Sequence, residues 1–414
     1  MNNVDVMHEL WGRLPLILLF ANGYLVYRLL EVTGLSEIFV HGMVRRSRGR
    51  AEPLLFYIIV SAAALSLVLS NTVTMLAMLP LLGVVDREAR KTGVALTTPL
   101  ALAAIYGGNI GGMGSLIGSP ANLLLLGALE YYRVPGREAV NFGSWLVWAL
   151  PLAALFSLAA WGVARLALPK DAGARRLDMS FTKSAVGLNP WQRSARMLVV
   201  LFLVFWVGLA VARSAAPGFR ALEPAVAAGF FAYFVFLVFF RSGPRCYPTS
   251  EPLLRPRDLV RGLPLRGLAW LGVVTALILG VRWIGADRLL GDAVRAALPP
   301  GLPDGAVVLA LILAVLLATE LVGNTVVSLA FFAVAREVAL ARGMDPLPLM
   351  IAVSLASTCA FMTPVATPCN ALAFGEMRGT RLSRMLGLGL LLNVIGALLL
   401  TGWVLWVLPF FYGR

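Results

Sequence analysis

Long apolar runs divide this chain, and most of them are long enough to cross a bilayer as helices. Runs at about 14–31, 142–167, 196–213, 223–241, 265–286 and 382–408 each have that length. Two further spans, 95–132 and 346–377, are interrupted by Gly, Pro and Asn. Two more segments, 53–86 and 305–341, are apolar but broken midway by Ser70-Asn71-Thr72 and Gly323-Asn324-Thr325. Each half of these two is short for a span, so the pattern predicts re-entrant hairpins that enter and leave on one face. The stretch 356–376, ASTCAFMTPVATPCNALAFGE, places Thr363, Pro364, Thr367, Pro368 and Asn370 within eight residues. Proline removes a backbone donor and clashes with the preceding turn, so this stretch breaks a helix. Pro368 suits the first residue of a new one. Broken backbone at membrane depth survives where it is buried in protein or lines a cavity.

The pattern occurs twice. Segments 14–166 and 265–408 both run span, hairpin, broken span, span. SNTVTMLAMLP (70–80) aligns with GNTVVSLAFFA (323–333), and GSPANLLLLG (118–127) aligns with ATPCNALAFG (366–375). An odd number of crossings separates the two units, which makes them inverted repeats. Inverted repeats with broken helices are an architecture of secondary transporters. The expected organisation is a first inverted repeat at 1–166, with hairpin 53–86 and broken helix 95–132. Cytoplasmic linker loops and two scaffold helices (196–213, 223–241) fill 167–264. A second repeat occupies 265–414, with hairpin 305–341 and broken helix 346–377.

Composition agrees with a polytopic all-α membrane protein. Of 414 residues, 59% are hydrophobic and 14% charged, against about 25% charged in soluble proteins. The net charge of +14 lies in loops, where it reads as an orientation signal rather than a nucleic-acid surface. Arg45, Arg46, Arg48 and Arg50, with the basic loops 168–196, 241–266 and 378–384, are expected on the cytoplasmic side. That places both termini outside, in a bacterial inner membrane. Cys246, Cys359 and Cys369 form no disulfide or metal pattern. His8 and His41 lie outside the apolar spans, which argues against a histidine proton relay. An intramembrane enzyme would need a base or an acid pair at depth, and the spans offer none; no catalytic residue or cofactor is expected.

Four half-helices are predicted to begin at about Thr72, Pro120, Thr325 and Pro368. Helix starts present unpaired amides to an anion, and the unwound carbonyls before them suit a hard cation. Simpler roles are open for the same residues. Asn71 and Asn324 also read as plain N-caps, Ser66 and Thr319 as hydroxyls bonded back to their own helices, and the glycines of 107–118 as packing sites. Glu320 is the one acid well inside a span. It is a functional candidate by default, or it pairs with an arginine or reaches the interface.

Four motifs, SNTVT (70–74), GGMGSLIGSPANL (111–123), TELVGNT (319–325) and FMTPVATPCNALAFG (361–375), resemble the divalent anion/sodium symporter family. The resemblance covers 265–408 closely and 14–166 well. It implies an elevator-type transporter of dicarboxylates such as succinate or malate, citrate or sulfate, with sodium as coupling ion, in some relatives by exchange. It implies a first sodium site at Ser66, Ser70, Asn71 and Gly118, and a second at Thr319, Val322, Asn324 and Ala366. Substrate carboxylates would meet Ser70, Asn71, Thr72, Asn324, Thr325 and Thr367. The expected partners are a small anion, sodium, the lipid bilayer and a second copy in a homodimer.

The chain departs from the family pattern in three ways. Gly323 stands where the family has serine, and Ala121 and Cys369 stand where a second proline is frequent. About three N-terminal scaffold helices have no counterpart before residue 14. An arsenite or cation/proton antiporter of the wider superfamily, an anion exchanger and a non-transporting membrane scaffold are the alternative readings.

Overall fold

The computed structural model describes residues 3–170, 172, 176–177, 188–240, 252–261 and 301–412, and all regular structure among them is helical. The first half of the chain forms α1 (Asn3–Val32), α2 (Leu35–Arg45), α3 (Ala51–Ser66), α4 (Asn71–Lys91), α5 (Thr97–Met113), α6 (Pro120–Tyr131) and α7 (Phe142–Arg165). There follow α8 (Pro190–Ala215), α9 (Glu223–Phe239) and the short α10 (Pro256–Arg261). The last part forms α11 (Asp304–Thr319), α12 (Asn324–Arg342), α13 (Pro346–Ser357), α14 (Pro368–Glu376), α15 (Leu382–Gly402) and α16 (Leu408–Tyr412). A π-turn at Trp403–Val407 joins α15 to α16.

Local chemistry sets the helix starts. α6, α13 and α14 each open on a proline, and the residue before it caps the helix with its side chain. Ser119 accepts from Ala121 N, Asp345 from Leu347 N, and Thr367 from Asn370 N. A proline at the first position loses nothing, since that amide has no partner within the helix. Asn189 and Gln192 form a reciprocal capping box at the start of α8.

The described residues fall into two units. One lies within Met1–Phe39, Asn141–Gly143 and Ser184–Pro264, the other within Val40–Val140, Ser144–Lys183 and Leu265–Arg414. In the first, α8 and α9 pack on α1. Tyr24 Oη donates to Leu259 O (2.6 Å) and Arg28 Nε to Asp258 O (2.8 Å), which fastens α10 to α1.

The second unit is built around α5 and α13. Every residue of α5 is buried, as is all of α13 after its opening proline; helices apolar on all sides belong in such a core. α3 and α4 pack on α5, and α11 and α12 pack on α13. The halves also cross: α4 and α5 contact α14, while α12 and α13 contact α6. Exchanging the two repeats leaves this set of pairings unchanged. Small residues permit the closest approach, for a Cβ on Gly111 would overlap Ala63 O of α3.

Phe142–Arg165, Pro190–Ala212, Asn324–Arg342 and Leu382–Tyr412 are long and apolar enough to cross a membrane. The protein is an integral membrane protein. Several expected boundaries move. The second arms of the two helix pairs are not short: α4 has 21 residues and α12 has 19. α4 continues past its apolar stretch because Asp86–Arg90 and Glu88–Lys91 pair along its last turns, where basic residues also suit the helix dipole. The basic 41–52 region, expected as a loop, is helical as far as Arg45. α4 and α12 start at Asn71 and Asn324, one residue before the expected Thr72 and Thr325. The span expected at 265–286, Cys246 and most of the 241–266 loop lie outside the described residues.

Candidate functional site

The first tip is the link between α3 and α4. Ser70 is its N-cap, accepting from Val73 N at 3.4 Å, so Asn71 is the first helical residue rather than the cap. This frees the Asn71 side chain to turn inward. Its Oδ1 accepts from Ser66 Oγ at 2.6 Å, and its Nδ2 donates to Asn109 Oδ1 at 3.0 Å. Ser66 therefore bonds across the tip instead of back to its own helix.

The first break, between α5 and α6, closes on this tip. Ser115 Oγ donates to Leu67 O. A Cβ on Gly118 would come within 2.7 Å of Ser66 O and 2.9 Å of Gly112 O, and one on Gly112 within 2.8 Å of Asn71 Oδ1. Gly118 thus lies directly on the Ser66 and Gly112 carbonyls, beside Asn71. Ser66, Asn71 and Gly118 are brought together, with Ser70 exposed at the rim. Thr72 is half-buried on the first turn of α4. Asn122 lies in the first turn of α6, donating to Gly112 O (3.0 Å) and Ser115 O (2.7 Å) and accepting from Ser354 Oγ (2.8 Å).

The second tip, between α11 and α12, repeats the pattern with one loss. Thr319 Oγ1 lies 2.8 Å from both Asn324 Oδ1 and Ser357 O, its one hydrogen shared between the two acceptors, so it too bridges rather than back-bonds. Gly323 occupies the N-cap position and supplies no side-chain bond where Ser70 does. Val322 is exposed in the turn, and Thr325 is half-buried behind Asn324.

The second break, between α13 and α14, is held by two groups. Asn370 Nδ2 donates to Ala360 O and Thr363 O, both at 2.9 Å. Asn109 Nδ2 donates to Ala360 O (2.7 Å) and to Asn370 Oδ1 (3.1 Å). Ala366 and Thr367 are buried there, with Thr367 Oγ1 serving as the cap of α14. Glu320, 3% exposed, is the other holder: its Oε1 accepts from Phe361 N and Met362 N, and its Oε2 from Thr363 N. Among the described residues it pairs with no arginine, and its partners are neutral.

Asn109 and Asn122 were not singled out by sequence, and Asn370 was noted only as part of the broken stretch, without a role in the site. A usable signal existed, because Asn122 and Asn370 occupy the same column of the two aligned break motifs.

Two helix-pair tips and two amide-stitched breaks, interlocked in one buried core of an all-helical membrane protein, define a secondary transporter. A family profile for citrate transporters (CitMHS) matches residues 10–247. The chain belongs to the citrate transporter family, among the divalent anion/sodium symporters that its motifs resemble. It is 26% identical over 412 residues to the sodium-dependent dicarboxylate transporter SdcS of Staphylococcus aureus strain NCTC 8325 / PS 47, covering 96% of this chain and 77% of that protein. The SdcS of strain MRSA252 matches with the same figures. The solved structure of the Alcanivorax borkumensis YdaH transporter, described as having an unusual topology, superposes with a TM-score of 0.60 at 15% identity. It covers 98% of this chain and 90% of that one, so the fold is shared.

Proposed function

We propose that this protein carries a small dicarboxylate or tricarboxylate across the membrane, coupled to sodium, by alternating access. The observation that carries the reading is the side-chain relay Ser66–Asn71–Asn109–Asn370, which joins the tip of one repeat to the break of the other. Sodium sits in the first repeat among Ser66, Ser70, Asn71 and Gly118, and in the second among Thr319, Val322, Asn324 and Ala366. The substrate carboxylates meet Ser70, Asn71, Thr72, Asn324, Thr325 and Thr367, at the helix starts where amide dipoles favour negative charge. The names of the SdcS relatives support both the sodium and the dicarboxylate. The two helix pairs act as re-entrant hairpins carried by an elevator movement of the inverted repeats, in a homodimer. The arginine asymmetry of the loops supports a bacterial inner-membrane location with both termini outside. A proton antiporter would need a free intramembrane acid, and the carboxylate of Glu320 is occupied by three amides.

The test is uptake of labelled succinate, citrate and sulfate into proteoliposomes, with and without an inward sodium gradient. Sodium-stimulated uptake of succinate or citrate is expected. Trans-stimulation without sodium dependence would convert the reading to an exchanger, and absence of any oxyanion uptake would overturn it.

A further inference from the structure

We propose that Glu320 is a positioning residue for the second cation site, a role that rests on the transport reading above. Glu320 directly follows Thr319 and closes the C-terminal end of α11. Its carboxylate collects the amides of Phe361 (2.6 Å), Met362 (2.8 Å) and Thr363 (2.9 Å), three consecutive residues of the unwound segment. Its backbone carbonyl also accepts from Thr363 Oγ1 at 2.6 Å. A fourth donor, Asn393 Nδ2 of α15, reaches Oε1 at 2.9 Å.

Three successive amides turned to one carboxylate leave little freedom in the segment that carries them. The carbonyls of Ala360 and Thr363 point instead to Asn370. Thr319 meanwhile bonds Ser357 O, where the same break begins. Two adjacent residues of the tip thus hold the start and the middle of the unwound stretch. The register between Thr319 and Asn324 on one side and Ala366 on the other depends on that grip. α15 supports it from behind, because a Cβ on Gly389 would stand 2.5 Å from Phe361 O and 2.6 Å from Met362 Cα.

The charge itself has a reason to be there. A neutral acceptor cannot hold three amides and a carboxamide as strongly as a carboxylate does, since charge-assisted bonds are about twice as strong as neutral ones. Burying a carboxylate is costly unless its oxygens are filled, and these donors fill them. A group acting one layer behind a cation typically changes affinity by roughly ten- to a hundredfold when removed.

The experiment compares wild type, Glu320→Gln and Asn393→Leu in proteoliposomes, measuring succinate uptake against sodium concentration. Thermal unfolding in detergent is recorded for each. For Glu320→Gln the half-saturating sodium should rise by roughly tenfold or more. Its substrate KM at saturating sodium should move by less than about twofold. Asn393→Leu leaves the three amides in place and should shift sodium in the same direction by a smaller factor. An unchanged sodium response in Glu320→Gln, with only stability lowered, would overturn the proposal. Should that variant fail to fold, an unchanged response in Asn393→Leu overturns it. A wild-type protein that transports without any sodium response removes the coupling reading itself, and this inference with it.

Discussion

Asn122 and Asn370 make the same pair of bonds in opposite halves of the chain. Each side-chain amide donates to the backbone carbonyls ten and seven residues before it. Each stands two residues after the proline that opens its half-helix, so cap, proline and amide together stitch an unwound segment to the helix that follows. With both amide hydrogens used, each Oδ1 is left as an acceptor. It is filled from the other repeat, Asn122 by Ser354 of α13 and Asn370 by Asn109 of α5.

Asn370→Ala strands the Thr363 carbonyl, leaves Ala360 O to Asn109 alone and takes from Asn109 the acceptor of its second amide hydrogen. Leaving such buried groups unmet costs about 1–3 kcal/mol each at most. The variant should melt at a lower temperature in detergent and lose transport. Asn122→Ala should lower the melting temperature in the same way, because Gly112 O and Ser115 O each lose the bond to its side chain.

Asn71→Ala removes the partner of both Ser66 and Asn109 at a half-buried position. The folded protein should survive with its half-saturating sodium raised by roughly tenfold. Sodium titration of substrate uptake measures this, and an unaltered curve would reduce Asn71 to a first-turn residue with no part in the site.

Gly323→Ser restores to the second tip the cap that Ser70 gives the first. The position has extended backbone, φ −55° and ψ 146°, and an added Cβ meets nothing within 4 Å. A serine cap exceeds a glycine cap by only a few tenths of a kcal/mol, or about 1 °C or less in melting temperature for a chain of this size. A larger gain in succinate affinity than in stability would mean that the new hydroxyl meets the substrate.

Tyr106→Phe removes a hydroxyl that is fully buried and has no hydrogen-bond partner among the described residues. Its ring, edge-on to Phe361 at 5.5 Å, is retained. Relieving an unmet buried donor should raise stability by about 1 kcal/mol, seen as a higher melting temperature with uptake preserved.

The helix ends were legible in the sequence because their causes are local. Pro120 and Pro368 mark starts wherever the chain goes next, and Ser119 and Thr367 cap within three residues. The tips were legible for the same reason, to within one residue. The wiring between them was not. Asn71 finds its partner 38 residues away and Asn109 finds one 261 residues away, and no spacing rule connects such pairs. Glu320 was visible as an anomaly, but its partners are backbone amides, which every residue type except proline carries. α2 escaped notice because the arginines from Arg45 to Arg50 suggested a loop, although a helix accommodates Arg45 well in its last turn.

The relay from Ser66 to Asn370 has a direction. Asn370 must present its NH2 to two carbonyls, so its oxygen can only accept; Asn109 must then donate, and the same reasoning passes to Asn71 and ends at the Ser66 hydroxyl. All the dipoles are aligned, and each bond polarises the next. Electron density is drawn toward the donor end, which leaves Ser66 Oγ more electron-rich than an isolated hydroxyl. A cation arriving there would pull on the whole chain, and its far end is the unwound backbone of the other repeat. On the transport reading proposed above, a cation at Ser66 would thereby strengthen the bonds that hold the break between α13 and α14.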